Sequence, residues 1–139
     1  MTAFSGGCLC GAVHYEGKEN LGGGHCHCED CRKSSGSGHC SHMIVPAESF
    51  TISGEVKFFD KETDMKNVVS RGFCPQCGAP VYSLNSGFEG IVFVRASSLD
   101  DPEVFQPRVI VYTKRAPSWD AMNPELPAFE EMPPPEAKP

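Results

Sequence analysis

The chain has 139 residues and a formal net charge of -6, a size that fits one domain with a real core. The acidic balance and the lack of any Lys/Arg run speak against nucleic acid or an anionic membrane as partner, since both are gripped by basic faces. No stretch approaches the roughly 20 apolar residues of a membrane-spanning helix.

The N-terminal "MTAFSGGCLCG" lacks a basic segment followed by an apolar run, so no secretory signal is expected and a cytoplasmic setting is. "AVHYEG" (12–17) then alternates as a strand, with Val13 and Tyr15 on one face. "GHCHCEDCRKSSG" (24–36) crowds three cysteines and two histidines together and carries a short helical turn from Glu29 to Ser35. Strands are predicted in "SHMIVP" (41–46), "VKFFD" (56–60), "NVVSRGF" (67–73), "APVYSLN" (79–85), "GIVFVRASS" (90–98) and "RVIVYTK" (108–114). Each is rich in β-branched or aromatic residues and bounded by turn formers. A second helical turn is placed near Ser118, and no long window shows a helical period. The fold class is mainly β. Residues 1–122 form the domain. Residues 123–139, with six Pro and four acidic residues among seventeen, form a tail that is expected to make neither ladder nor helix. Leu126 and Phe129 pack its first half onto the domain, and its last half-dozen residues are expected to be disordered.

Eight cysteines in a reducing compartment point to metal or catalysis before disulfides, although a disulfide framework is the other reading. "CPQCG" is a zinc knuckle: two thiolates grip one metal, and Gly78 takes the positive φ of the turn. A structural zinc needs four ligands. Pairing Cys74 and Cys77 with Cys8 and Cys10 of "CLCG" closes that set and clasps the N-terminus to the second half of the chain. The rival pairing joins Cys8 and Cys10 to the middle cluster. In the first pairing Cys26, Cys28 and Cys31 remain, and three thiolates leave a zinc's fourth position open, as catalytic zinc requires. A fourth ligand from His25, His27, Cys40 or His42 would instead close that site.

Taken in order, "CLCGAVHY", "CHCEDCRKSSG", "RGFCPQCGAPVY", "ASSLDDP" and "APSWD" resemble the glutathione-dependent formaldehyde-activating enzyme family, whose domain is shared with centromere protein V. The resemblance spans about residues 5 to 120. It implies a β-tent of small antiparallel sheets organised around zinc. It implies a structural zinc on Cys8, Cys10, Cys74 and Cys77, and a second on Cys26, Cys28 and Cys31. The activity it implies is that of a carbon–sulfur lyase joining formaldehyde and glutathione, with glutathione as cosubstrate. The sequence departs from the family around "GHCSHMIVP", where His39, Cys40 and His42 stand in a strand expected to be apolar or small.

Beyond the ligands, His27 is the candidate proton carrier, against a histidine fixed by a backbone hydrogen bond. Arg32 and Lys33 are candidates for binding a glutathione carboxylate or offsetting an anionic zinc, against a solvated pair. Arg71 is a third such candidate, against an ion pair with Asp60, Glu62 or Asp64. Ser97, Ser98 and Asp100 read as a capped turn, Trp119 as core closure and Cys40 as a small buried group. The function read from these residues is a zinc-dependent enzyme acting on a small-molecule thiol–aldehyde adduct. The alternatives are a non-enzymatic zinc module that binds protein, and a thiol redox sensor.

Overall fold

The structure is a computed structural model that describes residues 3–133. Its strands are β1 (Phe4–Gly7), β2 (His14–Gly17), β3 (Gly23–Cys26), β4 (Cys40–Pro46), β5 (Phe50–Ser53), β6 (Lys57–Glu62), β7 (Val68–Phe73), β8 (Pro80–Asn85), β9 (Ile91–Arg95) and β10 (Val109–Val111). One helix, α1, covers Glu29–Ser35, the span predicted. Near Ser118 the chain makes one hydrogen-bonded turn, with Asp120 N–H donating to the Pro117 carbonyl at 3.1 Å, and a 3-10 turn precedes it at Thr113–Arg115. None of the described helices is long and apolar enough to cross a membrane. The final half-dozen residues expected to be disordered, 134–139, lie outside the described residues.

The strands form two sheets, β1-β2-β5 and β10-β3-β4-β9-β8-β7-β6. The expectation of small antiparallel sheets needs two corrections. One sheet has seven strands, and its β10/β3 pair is parallel. A parallel pair requires a long connection between its strands, and here the chain builds most of the sheet before β10 returns beside β3.

The core lies between the sheets. Alternation puts Met43 and Val45 of β4 and Val92 and Val94 of β9 on one face, in the core with Tyr15 of β2 and Val13 just before it. Tyr15 is fully buried, and its hydroxyl bonds the Ser98 hydroxyl at 2.6 Å. "ASSLDDP" is therefore structural, and Ser5 donates to Asp100 at 2.7 Å beside it. Trp119 does not close the core: it is 72% exposed, on a turn closed by the Asp120 N–H bond to the Pro117 carbonyl. The Pro-rich segment does make ladder-like bonds. Ile110 N–H donates to the Pro127 carbonyl and Phe129 N–H donates to the Ile110 carbonyl, both at 2.9 Å. Pro127 only accepts there, so its missing N–H is no obstacle.

Candidate metal centres

The knuckle predicted from "CPQCG" forms between β7 and β8. Cys74 N–H donates to the Ala79 carbonyl at 3.0 Å and Gly78 N–H to the Cys74 carbonyl at 2.8 Å. Gly78 has φ +75° and Gly11 has φ +85°, with open space where a Cβ would stand. The left-handed backbone, and not crowding, calls for glycine at both. Cys8 and Cys10 follow β1 and meet this knuckle. Cys10 Sγ lies 3.7 Å from both Cys8 Sγ and Cys74 Sγ, and all four sulfurs fall within 4.8 Å of one another. A tetrahedron of 2.3 Å metal–sulfur bonds has edges of about 3.8 Å, so the cradle fits zinc. Backbone N–H groups of Val13 and Gln76 point at Cys8 Sγ (3.2 Å) and Cys74 Sγ (3.4 Å). The backbone N–H of Ala79, with that of Cys10, pulls the Cys77 thiol down to about 6. This group ties the loop between β1 and β2 to the loop between β7 and β8, and hence one sheet to the other.

Cys26, Cys28 and Cys31 form a second group whose sulfurs all lie within 4.8 Å of one another. Cys26 ends β3. Cys28 caps α1 and its Sγ accepts the Cys31 N–H at 3.2 Å, which satisfies one orphan donor of the first turn. Gly36 at φ +76° ends the helix. Hydrogen bonds from Cys26 and Cys28 pull the Cys31 thiol down to about 5, while the same contacts push Cys26 upward. Three thiols in mutual contact share protons unequally, because all three ionise together only around a cation. Soft sulfur donors select zinc over hard ions.

The candidate fourth ligands separate. His25 Nδ1 faces Ser41 Oγ at 2.8 Å. His27 is fully buried, with Nδ1 3.1 Å from the Gly38 carbonyl and 3.6 Å from Asp120 Oδ2. Cys40 is buried, with Sγ 3.9 Å from His42 Nδ1 and its thiol beside Cys31. His42 brings Nε2 to 3.6 Å from Cys31 Sγ. Sequence reasoning gave His42 no catalytic role, since only the strand register turns it toward the cysteines.

That register builds a polar face. Cys26 lies opposite Cys40, His42 opposite Arg95, Phe93 opposite Ser83, and Ser83 opposite Arg71. Directly opposed residues share a face. Phe93 meets the His42 ring edge-on. Arg71 forms no ion pair among the described residues, so the pairing with Asp60, Glu62 or Asp64 is not made. Arg95 is 3% exposed and its guanidinium donates to the Ser34 hydroxyl and carbonyl at 3.1 and 3.4 Å, at the end of α1. The hydrogen bond with Cys31, aided by the charges of Arg95 and Arg71, holds the Cys40 thiol below its ordinary value. Arg32 is half-buried on α1, whereas Lys33 is a solvated partner of Glu29 at 4.0 Å. Lys61 of β6 reaches Asp30 at 2.6 Å and anchors α1 from the other side.

A crystal structure of a Rhodobacter sphaeroides protein matches with a TM-score of 0.58 at 17% identity, over 90% of this chain and 98% of that one. At that identity the likeness speaks to fold alone. No curated protein sequence matches significantly. The family described as glutathione-dependent formaldehyde-activating enzyme matches residues 3–115, a span that contains both sulfur groups. The chain therefore belongs to the glutathione-dependent formaldehyde-activating enzyme family.

Proposed function

We propose that the chain is a zinc-dependent enzyme of the carbon–sulfur lyase type, working on S-(hydroxymethyl)glutathione or a closely related thiol–aldehyde adduct. The observation that carries this reading is the second sulfur group: three cysteines, not four, with a histidine nitrogen alongside. Cys8, Cys10, Cys74 and Cys77 would hold a structural zinc, and Cys26, Cys28 and Cys31 a second. When bound, the second ion supplies a site for a substrate sulfur and stabilises it as thiolate.

The residues divide the remaining work. In the cleavage direction the adduct's hydroxyl proton leaves, the C–O bond becomes a carbonyl, and the C–S electron pair departs with sulfur. His42 Nε2 takes that proton and returns it in the reverse direction. The proton-carrying role moves from His27 to His42, because His27 is fully buried and its Nδ1 faces Gly38 and Asp120. Arg71 binds a substrate carboxylate through paired N–H groups. Arg95 positions the end of α1, and with it Cys28 and Cys31. Arg32, half-buried on the same helix, adds positive potential. Lys33, solvated and paired with Glu29, contributes little.

The test is exchange NMR on zinc-replete protein with labelled formaldehyde and glutathione. Adduct exchange faster than the uncatalysed rate, and slowed toward it by His42→Gln, is the expected result. An uncatalysed rate with both zincs bound would contradict the enzyme and leave a non-catalytic zinc module.

A further inference from the structure

We propose that His27, His39 and Asp120 form a third metal site, free of sulfur, for a borderline divalent ion such as Zn²⁺, Co²⁺ or Ni²⁺. One ligand atom from each lies within 4.8 Å of the other two. Asp120 Oδ2 is 2.6 Å from His39 Nδ1 and 3.6 Å from His27 Nδ1, and the Gly38 carbonyl is 3.1 Å from His27 Nδ1. Nitrogen and oxygen ligands on an ion at 2.0–2.2 Å stand about 3 to 3.5 Å apart. The observed spacings bracket that range, so small side-chain shifts seat an ion among them. Two imidazoles and one carboxylate are a donor set that suits these metals.

Two features favour an ion over a set of hydrogen bonds. The ligands come from three separate stretches, the end of β3, the start of β4 and the turn at 120, and Gly38 makes the meeting possible. A Cβ at Gly38 would stand 2.4 Å from Asp120 Oδ2. His27 and Asp120 also line a cavity of about 260 Å³ under the C-terminal strap, with Thr113 and Asn123 among its walls, which gives an ion a path in.

The experiment is a Co²⁺ titration of full-length protein loaded with two equivalents of zinc, enough for the sulfur groups alone, read by absorption and calorimetry. The sulfur groups retain zinc in this protocol, since thiolate sites prefer it to Co²⁺. Any Co²⁺ that displaced it would announce itself by a strong sulfur-to-cobalt charge-transfer band. The expected result is one further equivalent of Co²⁺ with weak d–d absorption and no such band, together with a higher melting temperature. His39→Gln, at a partly exposed position, and Asp120→Asn should each weaken this uptake at least about tenfold while circular dichroism stays native. Absence of the extra equivalent at millimolar Co²⁺, or equal uptake by folded His39→Gln, overturns the proposal and leaves a hydrogen-bonded cluster only. Loss of the sulfur-bound zincs would show in the charge-transfer band and so bears on the enzyme reading alone.

Discussion

Stripping zinc from the Cys8–Cys10–Cys74–Cys77 group with a strong chelator is expected to unfold the chain, and Cys74→Ser is expected to prevent folding at ordinary temperature. A structural zinc contributes apparent binding energies of about 10–16 kcal/mol at neutral pH, and a domain of this size is stable by about 5–15 kcal/mol in all. The site also sits where the fold is thinnest. The β1-β2-β5 sheet has three short strands, and the sulfurs fasten its first loop to the loop between β7 and β8. Cys74 is fully buried within that clasp, so the serine leaves a polar group in the core as well as a missing ligand. Far-UV circular dichroism and thermal melting with and without chelator are the readouts. A native spectrum and an unchanged melting point in metal-free protein would remove the clasp from the account.

Cys31→Ser should behave in the opposite way: a folded protein with little activity. Cys31 belongs to a short helix at the sheet face, not to the link between sheets, and Arg95 and Lys61 hold that helix independently of sulfur. The variant should keep the structural zinc, lose the second, and lower adduct exchange by about a hundredfold or more, the scale set by losing a catalytic metal or its ligand shell. His42→Gln should keep both metals and lose about 10²–10⁴-fold in rate, the usual worth of a positioned proton carrier. Metal analysis, melting and exchange NMR on the two variants separate binding from proton transfer. Equal rates for wild type and folded Cys31→Ser would contradict the role given to this cluster.

The parts legible in the sequence were those whose chemistry acts at short range. The Cys-Pro-Gln-Cys-Gly turn carries its own ligand spacing and its own left-handed glycine, so its partner pair followed from counting sulfurs. The helix at Glu29–Ser35 was readable because Cys28 caps it locally and Gly36 stops it. β1 and β3 carry no strand signal, because half of their residues are glycine, which erases the alternation that marks a strand. β5 is only four residues long. The parallel β10/β3 pair and the face that gathers His42, Arg95, Ser83 and Arg71 depend on which strands become neighbours, and no local pattern encodes that. His27 shows the same limit: alternation turns it away from the cysteines, but only the folded chain places Gly38 and Asp120 at its Nδ1. Trp119 stays exposed although apolar, because apolarity alone does not secure burial.

The division of seven sulfurs between two ions is the central claim, and zinc content with X-ray absorption at the zinc edge tests it most directly. Protein purified without chelator or added metal should carry two sulfur-bound zincs per chain, one held by four sulfurs and one by three sulfurs and a lighter atom. A single zinc per chain, with ligands drawn from all three cysteine clusters, would contradict it.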